Sequence, residues 1–83
     1  MTRHAWHLAD GVYRLRPEGE RCGWHVASVW CEGDRWQRIV WETDWDADHG
    51  ETVGTLEDAP RAAVAHARRV GAIGERDEVC DAE

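Results

Sequence analysis

Polar and apolar positions alternate through most of residues 5–48, and the period lengthens to that of a helix only after residue 58. The runs A-W-H-L-A (5–9) and V-Y-R-L-R (12–16) flank Asp10-Gly11. Both turn residues tolerate the positive φ that a two-residue hairpin demands, so the runs read as paired strands. Pro17 ends the second strand, and E-G-E-R (18–21) reads as a polar turn. Residues 23–31 put Trp24, Val26, Ser28 and Trp30 on one face, with His25, Ala27, Val29 and Cys31 on the other. Two largely apolar faces suit a central strand. Glu32-Gly33-Asp34 reads as a short hairpin loop, and residues 35–43 as the next strand, continuing toward Gly50.

From Ala59 to Val70 the period changes. Ala59, Ala62, Ala63, His66, Ala67 and Val70 share one helical face, with Arg61 and Arg68 opposite. Asp58 is the expected N-cap, Pro60 fits the first turn, and Gly71 and Gly74 end the helix. The expected fold class is α+β: an antiparallel sheet of three to four strands followed by one helix packed on a face, in the order β-β-β-β-α. Residues 1–83 form a single small domain in which 75–83 is a loose acidic tail.

Composition changes this picture in one respect. Leu, Ile and Val together number 13 and Phe is absent, while six Trp residues are present. Each indole can bury about 150–250 Å², so a core of Trp and Ala is expected. Charge then narrows the partners. The net charge is −7, and residues 42–60 carry seven acids and no Arg. Such a balance disfavours direct binding to nucleic acid or to an anionic membrane and favours a basic protein or nucleoprotein complex. Cys22, Cys31 and Cys80 are odd in number, and the first two would lie about 30 Å apart along one strand. A reducing, cytoplasmic setting follows. M-T-R-H-A-W-H lacks the apolar core of a signal peptide, and no run approaches transmembrane length.

The segment W-E-T-D-W-D-A-D-H-G-E (41–51) carries the most distinctive pattern. Glu42, Asp44, Asp46 and Asp48 occupy every second position, with Trp41, Thr43, Trp45 and Ala47 between them. As extended chain it would be a ribbon with one acidic face and inward-facing Trp41 and Trp45. Its carboxylates would stand about 6.6–6.8 Å apart, a spacing comparable with successive phosphates. Glu42, Asp44, Asp46 and Asp48 are therefore the expected partner-binding residues, with Glu51, Glu57 and Asp58 extending the patch. The competing reading is a solvated face that serves only solubility.

Metal and catalytic chemistry find little support. D-W-D-A-D resembles the opening of an EF-hand loop. However, counting from Asp44, His49 replaces the glycine at position six and Thr55 replaces the closing Glu at position twelve. His4-x-x-His7 and Cys22-x-x-His25 would point to opposite faces of a strand rather than converge on zinc. Ser28 is the only serine, lies inside a strand and lacks nucleophile-elbow glycines. No metal, no cofactor and no enzymatic activity are expected.

In layout, residues 11–70 resemble the small acidic phage-encoded inhibitors of the anti-CRISPR type. The likeness rests on the Trp-anchored runs G-W-H-V-A-S-V-W and D-R-W-Q-R-I-V-W, then T-L-E-D-A-P-R-A-A-V-A-H-A with acids clustered before it. The resemblance implies a stoichiometric inhibitor that binds a host nucleoprotein such as a CRISPR effector complex and blocks nucleic-acid access. The alternative is a Trp-anchored interaction or regulatory subunit, including a homodimer formed through an unpaired sheet edge.

Overall fold

The computed structural model describes residues 3–18, 25–43 and 45–80. Six strands and one helix follow in chain order: β1 (Arg3–Ala9), β2 (Val12–Pro17), β3 (Ala27–Glu32), β4 (Arg35–Trp41), β5 (Ala47–Val53), α1 (Asp58–Val70) and β6 (Glu78–Cys80). They form one sheet in the order β5-β4-β3-β2-β1-β6. Strands β1 to β5 are an antiparallel meander, and β6 pairs parallel to β1. The helix carries the chain from the β5 edge to the opposite edge.

The α+β class stands, but the expected sheet of three to four antiparallel strands is corrected to six mixed strands. Two causes account for the difference. The long fourth strand ends at Trp41, and the chain returns from Ala47 as β5. The expected loose tail contributes β6, whose Val79 lies opposite His4. Residues 81–83 of that tail lie outside the described residues.

Residues directly opposite across neighbouring strands share a face. The series Trp6, Leu15, Ala27, Val40 and Asp48 therefore lies on one side of the sheet. The helix covers that side over β3, β4 and β5. Leu15, Val29 and Val40 are its largest fully buried side chains, and Ala59, Ala63 and Ala67 pack down from the helix. Alanines let the helix approach a sheet whose buried residues are short. The expected indole core is corrected accordingly. Trp6 is buried, Trp30, Trp36 and Trp41 are half-buried, Trp45 is exposed, and Trp24 lies outside the described residues.

Local chemistry sets the boundaries. Asp10 and Gly11 both take positive φ (54° and 76°), as a turn of this kind between twisted strands requires. At the helix start, Glu57 rather than Asp58 occupies the N-cap position, without a side-chain cap. Asp58 instead accepts hydrogen bonds from the Thr55 backbone N–H (3.1 Å) and hydroxyl (3.2 Å), fixing the loop that enters the helix. Gly71 ends the helix in a left-handed conformation. No helix among the described residues is long and apolar enough to cross a membrane.

Candidate functional site

The acidic ribbon does not survive folding as a row. Thr43 Oγ1 accepts hydrogen bonds from the Trp45 and Asp46 backbone N–H groups at 3.2 and 3.1 Å. The Glu42 N–H donates to the Asp46 carbonyl at 2.9 Å. A local threonine turn of this kind competes with strand extension and here closes a hairpin tip between Glu42 and Asp46. Trp41 then pairs with Ala47, and Val40 with Asp48.

This turn scatters the expected binding residues. Glu42 and Asp46 are exposed at the tip, while Asp44 lies outside the described residues. Asp48 falls on the helix-covered side, where its Oδ2 meets His66 Nε2 at 2.7 Å. Glu51 lies on the other side of the sheet and accepts a 2.7 Å hydrogen bond from Arg35 Nη1. Glu57 is exposed beside the helix start, and Asp58 is occupied by Thr55. The two indoles are also corrected. Trp45 is 89% exposed at the tip instead of facing inward. Trp41, opposite Ala47, lies on the face away from the helix.

A polar network that the pattern did not reveal joins the helix to β4 and β5. His66 is 2% exposed and uses both ring nitrogens. Arg38 Nε donates to His66 Nδ1 at 2.9 Å, and Arg38 Nη1 donates to Thr52 Oγ1 at 2.7 Å. A guanidinium can only donate, so Nδ1 must be bare and the ring proton sits on Nε2, which donates to Asp48. The ring is therefore neutral in this arrangement. With both nitrogens committed it cannot serve as a general base unless Arg38 moves. The signals that could have exposed this network are a glycine within β5, at Gly50, and a histidine inside an alanine face. A Cβ at Gly50 would lie 2.5 Å from Arg38 Cζ, so the missing side chain is the space the guanidinium occupies.

The hydrogen bond from His66 holds the Asp48 carboxyl below its ordinary value, with Arg69 and His49 adding attraction. A depressed folded-state pKa stabilises fully above the unfolded carboxylate range, about pH 4, and that stabilisation disappears as pH falls through the folded value. The melting temperature is expected to drop on acidification below about pH 4, and Asp48→Asn to make that drop shallower. Asp58, also held low by Thr55, titrates in the same direction and keeps part of the slope. An identical acid profile in Asp48→Asn would show that the His66 bond contributes nothing.

Comparison with protein-family models, curated proteins and solved structures gives no match to this chain.

Proposed function

We propose that this protein is a non-enzymatic binding module that grips a basic protein surface with the β4–β5 hairpin tip. Trp45 is the anchor, and Glu42 and Asp46 are the charged rim. The observation that carries this reading is the exposure of Trp45 on a tip closed by its own hydrogen bonds. A chain with so few large apolar residues leaves an indole in water where burial would stabilise the fold.

Docking one indole removes up to about 150–250 Å² from water, a gross gain of roughly 4–6 kcal/mol at ~25 cal/mol per Å². A tip already closed by backbone hydrogen bonds loses less entropy on binding than a flexible loop. Trp is among the residues that most often dominate interface energetics. Carboxylates beside it select a cationic partner and steer its approach. Arginine-rich surfaces of nucleic-acid-handling proteins fit this description, which keeps the inhibitor reading in view. The mode differs from a regular phosphate-like row, because Asp48 and Glu51 face opposite sides of the sheet.

The test is affinity capture from bacterial lysate at low and high salt, followed by Kd measurement on the purified retained partner. Trp45→Ala is expected to weaken binding at least tenfold while leaving the melting temperature nearly unchanged, because the residue is exposed. The double variant Glu42→Gln/Asp46→Asn is expected to flatten the salt dependence. Equal affinity for Trp45→Ala, or retention of no basic protein, overturns the reading.

A further inference from the structure

The helix packs over β3, β4 and β5, so the β1–β6 side of the same sheet face is left beside it rather than beneath it. A cleft of about 380 Å³ opens there. Trp6 of β1 and Val79 of β6 line it from the sheet, and Pro60 and Val64 line it from the helix. The charged residues lining it are Arg61 and Arg68. These two stand seven residues apart on the helix, about 10.5 Å along its axis, and so fall on one stripe at opposite ends of the cleft.

Arg61 acts on the Asp58 carboxylate only through space, and Arg68 is tied by one hydrogen bond to a backbone carbonyl. Neither makes an ion pair with a carboxylate among the described residues. Arg68 Nη2 donates to the Asp77 carbonyl at 3.0 Å, which leaves most of its five N–H donors available. The charged side chains that line this depression are thus both positive, in a protein of net charge −7.

The wall at the Arg68 end is braced. Asp77 Oδ2 lies 3.3 Å from His4 Nε2 of β1 and accepts from the Gly74 N–H at 2.9 Å. The same residue's carbonyl is held by Arg68. One turn therefore ties β1, the helix end and the approach to β6 together, so the cleft exists before any ligand arrives. Its volume falls within the ~300–1,000 Å³ of small-molecule sites, and its lining mixes apolar side chains with two guanidiniums.

The geometry points to a binding site for a small amphipathic carboxylate. Its apolar body lies on Trp6, Val64 and Val79, and its carboxylate pairs with the Arg61 or Arg68 guanidinium in the two-pronged manner that planar groups allow. This site lies at the β1–β6 edge, across the sheet from Trp45, and stands independently of the hairpin tip.

Decanoate is the probe. Titration followed by amide and indole NMR shifts is expected to give saturable, submillimolar binding with the largest changes at Trp6, Val64 and Val79. Acetate, which lacks the body, and decanol, which lacks the charge, are each expected to bind at least tenfold more weakly. Arg61→Gln/Arg68→Gln is expected to weaken decanoate at least tenfold, while Arg69→Gln, the same charge change outside the cleft, leaves it unchanged. Val64→Trp is expected to fill the depression and abolish binding. Melting temperatures of all variants confirm that each is folded. Absence of saturable shifts in the folded wild type, equal binding of decanol, or indifference to the double arginine variant overturns the assignment.

Discussion

Leu15→Ala is expected to lower the melting temperature of this protein more than any other single truncation in its core. Leu15 is fully buried in β2, opposite Trp6 on one side and Ala27 on the other. Leucine-to-alanine changes in cores cost about 2–5 kcal/mol, and the cost rises when neighbours cannot move into the cavity. Here the partners across the sheet are Trp6, itself buried and packed, and Ala27, which has no side-chain reach to fill it. A domain of this length has a total stability of roughly 4–12 kcal/mol, so one residue carries a large share. Thermal unfolding followed by circular dichroism is expected to show a drop of roughly 10 °C or more. Leu8→Ala, on the same face but half-exposed, is the comparison and should shift the midpoint far less. A drop for Leu15→Ala no larger than that for Leu8→Ala would mean the core is not where the structure places it.

Gly50→Ala is the second large effect, and its sign is the informative part. Replacing glycine within a strand ordinarily stabilises, by roughly 0.5–1 kcal/mol, because less chain entropy is lost on folding. At Gly50 the new methyl would sit 2.5–2.6 Å from the Arg38 guanidinium. The guanidinium must shift, and its two bonds, to His66 Nδ1 and Thr52 Oγ1, are what that shift puts at risk. If the His66 bond is lost, a buried ring nitrogen is left with no partner, a penalty of about 1–3 kcal/mol. Net destabilisation is expected. A double variant, Gly50→Ala/Arg38→Leu, separates this cause from others. If the alanine acts by expelling Arg38, its cost should be much smaller in the Arg38→Leu background, a clear departure from additivity. Equal cost in both backgrounds would show that Gly50 matters for another reason.

The same residues show how far sequence reading reaches. The alternation around Asp10-Gly11 and the alanine face of α1 are local patterns, and local sterics suffice to fix them. His66 was readable as a residue facing the sheet because it shares a helical face with Ala59, Ala63 and Ala67. Its partners were not readable. Arg38 and Asp48 come within reach of it only after β4 and β5 pair in one particular register and the helix crosses over them.

The acidic segment failed for a related reason. A period of two describes a strand, but it does not forbid a turn within the run. Thr43 and Asp46 decide the matter by capturing backbone groups that a longer strand would have used. Once the chain reverses, alternate carboxylates no longer share a face, and Trp45 moves from the expected interior to the tip. The short β6 was equally hidden, since three residues carry little periodic signal and their pairing with β1 spans most of the chain.

What the sequence determined by itself is the set of local elements: strands, the helix, their turns, and a strongly acidic surface around residues 42–58. These follow from side-chain period, φ preference and charge, all of which act over a few residues. Tertiary structure alone decided which carboxylates stay free, that Asp48 is bound to His66, that Trp45 meets solvent, and that Arg61 and Arg68 flank a cleft. Each of these depends on strand register and helix placement, which are set by burial of Leu15, Val29 and Val40 across the whole sheet.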